Sequence, residues 1–366
     1  MSISGSATTK GTQRYAERFS EAASGHFRML DGRTWSSFGI GTYLGDMDDA
    51  TDTVVSAAVG RCLAGGANVI DSAINYRRER GERSVGVALA RAVEDGVVSR
   101  DEFIVCTKGG FLPHGAKWFN ETFVADDTSP VTAADLAGNS HCMHPDYLAR
   151  QLQQSLANLG LGTIDVYYIH NPETQLRELD RETFEQRLRA AFEMLEGAVA
   201  DGRIGAYGLA TWNALRVPPD ERGHISLQRA KALAREAAGT DVDHFRYVQL
   251  PLNLSMPEAF RRRVQIVDKD AQTPLQAART LGLWPVASGA IGQGRISAMD
   301  DRLRAYLGPE GGSIAQAALQ FTRSAPGLAS ALVGMKAEAH VAENLVLAGV
   351  PVVDEARFRA LFKKSG

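Results

Sequence analysis

Residues 39–45 read GIGTYLG, a glycine-rich turn at the end of the short apolar run Phe38–Gly41. In an open, doubly wound sheet the first strand and helix are joined by GxGxxG, because that turn lays a dinucleotide's pyrophosphate on the helix N-terminus. Here the spacing is GxGxxxG, and no helical period starts inside it; the next one begins near residue 51. The open sheet is therefore disfavoured, and the rest of the chain has to decide the fold.

Beyond this turn the chain repeats a pattern. Runs rich in Val, Ile and Tyr occur at Phe38–Gly41, Asn68–Asp71, Phe103–Lys108, Asp165–His170, Ala206–Ala210, Tyr247–Leu250, Trp284–Ser288 and Ala331–Gly334. Between and after them lie helical patterns near 51–64, 83–95, 146–159, 180–201, 226–238, 272–281, 313–323 and 337–348. The apolar runs are continuous rather than alternating, which suits strands buried on both faces of a parallel sheet. Eight such βα units predict a closed (β/α)8 TIM barrel. Asp31-Gly32, between two β-like runs, predicts an N-terminal hairpin covering one end. Residues 111–144 and 289–311 form long loops after strands three and seven, on the face where barrel enzymes place their chemistry. "DEARFRALFKK" predicts a C-terminal tail helix within 351–366. Residues 1–25 are small and polar without an apolar core, so they are expected as a flexible arm with no signal peptide, and 26–366 as a single barrel domain.

A chain of 366 residues that is 44% hydrophobic can bury a large core, and no window of about 18 apolar residues is present to span a bilayer. The formal net charge of -3 gives no whole-molecule attraction for nucleic acid or anionic membrane, so any anion site is local. Three cysteines without a CxxC pair fit buried free thiols and a reduced, cytoplasmic compartment. His141, Cys142 and His144 have no structural zinc spacing, and no metal site is expected.

Three adjacent strands end on ionisable groups: Asp71, Lys108 and His170. Singly, each is what a turn, a solvated rim or a hydrogen-bonded strand end would carry. A barrel brings all three to one mouth, and Tyr76, just past strand two, can lean over the same place. A phenol is a weak acid at neutral pH, and a nearby ammonium favours its phenolate. Asp71 would keep Lys108 charged. His170 and Tyr76 could then clamp a carbonyl oxygen, with Tyr76 supplying a proton as charge develops. None of the four can donate hydride, so a cofactor must.

With these residues the chain resembles the aldo-keto reductase superfamily over roughly residues 27–350. The motifs that carry the resemblance are "GIGTY", "NVIDSAINY", "VCTKGG", "DVYYIHNPE", "GRIGAYGLATWN", "VQLPLN", "VASGAIGQG" and "LVGMKAEAHVAEN". The resemblance implies a catalytic tetrad of Asp71, Tyr76, Lys108 and His170, and reversible reduction of an aldehyde or ketone to an alcohol. It implies NADPH or NADP+ as cofactor, with NADH the poorer one. Lys336 would meet the 2′-phosphate beside Gly334 and Met335, with His340 as a second contact. Glu343 and Asn344 would hold the adenine, and Ser288, Gly289 and Arg295 the pyrophosphate. Thr211 and Gln249 would bind the carboxamide, and Gly41, Thr42 and Asp71 complete the cofactor contacts. Tyr43, Phe111, Trp118 and Trp212 would form the substrate wall, around a small carbonyl or alcohol.

Three positions depart from the family pattern. Ala210 stands where a serine is usual, Leu252 where an aromatic is expected to stack on the nicotinamide, and Arg77 where glycine follows the tyrosine. Arg77, Arg78 and Arg80 could face an acidic substrate or partner, or form a solvated surface. The altered nicotinamide surroundings leave an alternative, an NADP(H)-binding regulatory or sensor barrel with little turnover, like the superfamily's channel-associated members.

Overall fold

The protein is described by a computed structural model comprising residues 2–296, 298–309 and 311–362. Eight parallel strands close into a barrel: β1 (Phe38–Gly41), β2 (Val69–Asp71), β3 (Ile104–Gly109), β4 (Ile164–His170), β5 (Ile204–Ala210), β6 (Phe245–Pro251), β7 (Trp284–Ser288) and β8 (Ser330–Gly334). The ring is shut by β8 on β1, with Ala331 paired to Phe38 and Gly334 to Gly41. Around it run α1 (Asp49–Ala64), α2 (Arg80–Glu94), α3 (Pro145–Leu159), α4 (Arg181–Ala200), α5 (Leu227–Ala238), α6 (Pro274–Thr280), α7 (Ile314–Arg323) and α8 (Glu338–Leu345). The predicted strands and helices all appear within a few residues of their expected positions.

Every strand but β1, whose alternate positions are Gly39 and Gly41, sends alternate side chains to two different cores. Phe38, Ile40, Ile70, Val105, Tyr167 and Ile169 join the layer under the helices. Val69, Ile104, Cys106, Val166, Tyr168, Ala206, Tyr247, Val286 and Leu332 fill the barrel's interior. That interior is tight: a Cβ on Gly208 would lie 2.2 Å from the Tyr247 carbonyl oxygen and 2.8 Å from the Tyr168 ring, so only glycine fits there.

The predicted hairpin forms from Phe27–Leu30 and Arg33–Ser36. Asp31 and Gly32 both have positive φ, the backbone a two-residue hairpin turn requires. Trp35, fully buried, plugs the strands' N-terminal end and lies 5.3 Å from the Tyr247 ring.

The N-terminal segment departs from expectation. It is docked rather than free: Thr9–Glu17 is a helix, capped by the Thr8 hydroxyl. Its Tyr15 is fully buried and donates to the Leu63 carbonyl at 2.7 Å. The Ala7 amide donates to Asp165 at 2.7 Å, and Ile3 bonds Gly160 and Gly162. A mostly polar stretch is held by one large aromatic anchor and by ion pairs from Arg14 and Arg18 to Glu102. At the other end the tail helix covers Glu355–Ala360, where Phe358 packs on Phe260 and Phe321; residues 363–366 lie outside the described residues. Among the described residues no helix is long and apolar enough to cross a membrane. The three cysteines are buried and unpaired.

Glu82, fully buried on α2, accepts from the Thr107 hydroxyl at 2.6 Å and from Asn158 at 2.9 Å. Burial pushes its carboxyl up to about 7, with those hydrogen bonds pulling only partly back. Because the folded value lies above the unfolded one, the contribution to stability is full below the unfolded value. It is lost as pH rises through about 7, at a cost of roughly 3 kcal/mol. Urea titrations of the wild type are expected to show this decline with rising pH. Glu82→Gln is expected to flatten it, and an unchanged slope in that variant would show that Glu82 ionises freely.

Candidate active site

The side chains that matter continue the interior-facing rows of their strands. Asp71 lies two residues beyond Val69, Lys108 beyond Cys106, His170 beyond Tyr168, and Gln249 beyond Tyr247. A two-residue step in a strand keeps the same face, so each reaches the barrel's axis at its C-terminal mouth.

Lys108 is fully buried and donates from Nζ to Asp71 Oδ2 at 2.6 Å, to the Ser72 carbonyl at 2.7 Å and to the Tyr76 hydroxyl at 3.3 Å. The other Asp71 oxygen accepts from Gln249 Nε2 at 2.8 Å. The Tyr76 and His170 rings meet edge to face with centroids 5.8 Å apart. All four expected tetrad residues are therefore brought together, and the phenol points at the amine.

Burial acts against charge on Lys108, but Asp71 and Tyr76 outweigh it and the amine sits above its ordinary value. Asp71 is pushed up by burial while Lys108 and Gln249 pull it back. For Tyr76 the expected lowering by the ammonium is real but smaller than the opposing effect of burial, so the phenol sits above its usual value and keeps its proton at neutral pH. His170 is driven well down by burial and by the Lys108 charge, and its imidazole is neutral.

Above this floor opens a cavity of about 330 Å3. Of the residues expected to hold cofactor or substrate, Gly41, Thr42, Tyr43, Thr211, Trp212, Ser288, Gly289, Gly334, Met335, Lys336 and His340 line it, as do Asp71, Tyr76, His170 and Gln249. The Thr211 hydroxyl is buried without a partner, ready for a polar group of a guest. A larger hollow of about 690 Å3 lies on the flank by Phe260, Arg279 and Arg359, and contains none of the expected residues.

Other expected residues lie elsewhere. Arg295 is exposed outside the cavity wall, where Gln293 and Gly294 stand instead. Glu343 and Asn344 lie further along α8 and off the lining; Asn344 is buried with Nδ2 directed at the Met335 sulfur at 3.6 Å, leaving its Oδ1 unpaired. Trp118 does not reach the mouth, because it packs against His114 and Phe123 inside the long loop. Phe111 stands behind His170 with centroids 5.1 Å apart, off the cavity. Leu252 does not line the cavity either: β6 ends at Pro251, and Leu252 is fully buried in the packing under the helices. Gln249 spends its amide on Asp71. Sequence reasoning missed Ser72, whose carbonyl takes a Lys108 proton, and Asn171, which lines the cavity.

Of the arginines after Tyr76, Arg78 is exposed as a solvated face would have it, whereas Arg77 and Arg80 turn inward to ion pairs. Arg77, Arg78 and Glu79 all have positive φ, a strained run for residues with side chains. Arg77 is buried, pairs with Asp52 and donates to Ser84 at 3.0 Å; Arg80 also pairs with Asp52. Glu79 meets His114 at 2.5 Å and Asn158 at 3.1 Å. The turn beside Tyr76 is thus fastened on three sides.

A family profile described as "Aldo/keto reductase family" matches residues 37–218. An aldo/keto reductase of Synechocystis is 28% identical over 147 residues, 40% of this chain and 34% of that protein, so this match spans about a third of the relative's length. The 6-dehydroglucose reductase of Novosphingobium aromaticivorans is 23% identical over 77% of this chain and 76% of its own. Among solved structures, an aldo/keto reductase from Klebsiella pneumoniae in complex with NADP and acetate superposes with a TM-score of 0.61 at 18% identity, covering 93% of this chain and 94% of that one. That likeness shows the barrel, and the profile over residues 37–218 shows the lineage. The chain belongs to the aldo/keto reductase family.

Proposed function

We propose that this protein is an NADP(H)-dependent oxidoreductase that interconverts a small aldehyde or ketone and its alcohol, with Tyr76 as the general acid and base. The observation that carries this reading is the position of the buried Lys108 amine, 2.6 Å from Asp71 and 3.3 Å from the Tyr76 hydroxyl, beneath the floor that these two residues give an open cavity. The lining accords with a nicotinamide cofactor. The unpartnered Thr211 hydroxyl offers a hydrogen bond for a carboxamide, and Lys336 and His340 offer cationic or polar contacts for phosphate. Klebsiella pneumoniae aldo/keto reductase structures in complex with NADP and with NADPH share the barrel.

When bound, the reduced nicotinamide supplies the hydride. This chain's residues do the rest. Neutral His170 donates a hydrogen bond to the substrate oxygen, and Tyr76 transfers its proton to that oxygen as negative charge grows there. Lys108 stabilises the phenolate left behind, and Asp71, held by Gln249, keeps the ammonium in place. Carbonyl, hydride and proton give the alcohol, and solvent returns the proton to Tyr76. Three buried free thiols accord with a cytoplasmic setting.

The deciding experiment is a panel of aldehydes, ketones, sugars and alcohols with NADPH consumption or formation as readout. Turnover supports the enzyme; tight NADPH binding without turnover across the panel would favour a sensor barrel. Cofactor choice is tested separately. Lys336→Ala is expected to weaken NADPH binding by about tenfold and NADH binding far less, since a charge-assisted hydrogen bond contributes about 1.5 kcal/mol. Equal losses for the two would place the 2′-phosphate elsewhere.

A further inference from the structure

Among the described residues His170 has no side-chain hydrogen bond of its own: its Nδ1 is buried and unpartnered. Something else must set the angle at which its ring meets a carbonyl oxygen. The structure places a second, fully buried imidazole directly behind it. His141 comes from the short hairpin Leu136–Ala137 with His141–Cys142, inside the long loop after β3. Its Nε2 lies 2.8 Å from the His170 carbonyl oxygen. The Phe111 ring stands edge-on to both imidazoles, with centroids 5.1 Å from each. Gly110 makes room for this arrangement, since a Cβ there would come within 2.6 Å of His141 Nε2.

The protonation of His141 is set by its neighbours. The Arg187 guanidinium, which can only donate, bonds Gln175 Oε1 at 2.9 Å. That fixes the Gln175 amide, whose NH2 must then face His141 Nδ1 at 3.1 Å. Nδ1 accepts, so the ring proton is on Nε2 and is donated to the His170 carbonyl. A relay runs from Arg187 through Gln175 and His141 to the end of β4. In the sequence His141 is one of three residues, with Cys142 and His144, that lack a zinc spacing; the structure gives it this different task.

We propose that His141, as the Nε2–H tautomer, is the positioning residue for His170, so that the loop after β3 sets the geometry of the carbonyl clamp. The role of the clamp rests on the function proposed above, but the link between the two histidines does not. Burial holds the His141 ring at about 4, so it stays neutral and its tautomer persists at working pH.

Two measurements test this. In wild-type protein labelled with 15N-histidine, the His141 ring is expected to show a protonated Nε2 and an accepting Nδ1, unchanged across neutral pH. A protonated Nδ1 would overturn the proposal, whatever the enzyme's activity. In kinetics, His141→Leu is expected to lower kcat by about 10²-fold, the scale of a small misplacement of a reacting group, while the NADPH dissociation constant holds. His141→Gln, whose amide can still donate to the carbonyl, is expected to recover most of the loss. Equal kcat in both variants, or kcat and NADPH affinity falling together, would mean His141 serves packing alone. If His141→Leu does not fold, Gln175→Leu is the substitute: it keeps the imidazole and removes the donor to Nδ1. The carbonyl still selects the Nε2–H tautomer, so this variant is expected to keep it but to lower kcat as the ring loses its Gln175 anchor, and wild-type kcat would refute the relay. Absence of turnover in the wild type would refute the proposed function and leave the tautomer result to decide the His141 link.

Discussion

Tyr76→Phe is expected to lower kcat for carbonyl reduction by about 10³-fold, within the range for loss of a positioned general acid, with NADPH affinity nearly unchanged. The size of the loss is set by the neighbours. Lys108 sits beneath the phenol and already donates to Asp71 and the Ser72 carbonyl. His170 is held neutral by burial and by the Lys108 charge, so it has no imidazolium proton to give. Removing one oxygen therefore leaves no second acid at the carbonyl. The same geometry fixes the pH dependence. Tyr76 is raised by burial, so reduction is expected to hold level through neutral pH and to fall only on the alkaline side. Alcohol oxidation, which needs the phenolate, is expected to rise in that range. Stopped-flow rates for both directions measure this, and near-wild-type reduction by the Phe variant would remove Tyr76 from the chemistry.

The barrel was legible because burial on both faces writes strands as unbroken apolar runs. The site was legible because a strand's two-residue step carries the interior row straight into the mouth. Val69 then Asp71, Cys106 then Lys108, and Tyr168 then His170 are one pattern seen three times. Elements without such a rule were missed. The hairpin Gln265–Val267 with Asp270–Gln272 turns through Asp268 and Lys269, both at positive φ, where the usual glycine or asparagine would have announced it. The strained run Arg77–Glu79 was hidden for the same reason. Trp118 and Arg295 were misplaced because they lie in long loops, whose path is set by contacts such as Trp118 on Phe123 rather than by any period. The N-terminal helix depends on a single buried aromatic, Tyr15, too little signal against a polar background. His141 needed coordinates, because its partners Gln175 and His170 are distant in sequence.

Lys108→Met is the change expected to cost most in stability, about 3–5 kcal/mol, the range for removing one partner of a buried ion pair. Methionine fills the space of the lysine stem, so the loss is not chiefly a cavity effect. It is the carboxylate of Asp71, buried and now held by Gln249 alone, that carries the penalty. The pH dependence separates these causes. Burial already pushes Asp71 up, and loss of Lys108 removes the largest force pulling it back. In the variant the folded state therefore binds a proton more tightly than the unfolded one. Its deficit should be smallest below the ordinary carboxylate range and grow as pH rises from there through the raised folded value. A packing defect would show no such trend. Adding Asp71→Asn removes the stranded charge, so Lys108→Met/Asp71→Asn is expected to be more stable than Lys108→Met at neutral pH while remaining inactive. If urea denaturation finds the double variant less stable than the single one, the two groups do not behave as a buried ion pair. Tyr76 would then lack the charged neighbour on which its proton transfer depends.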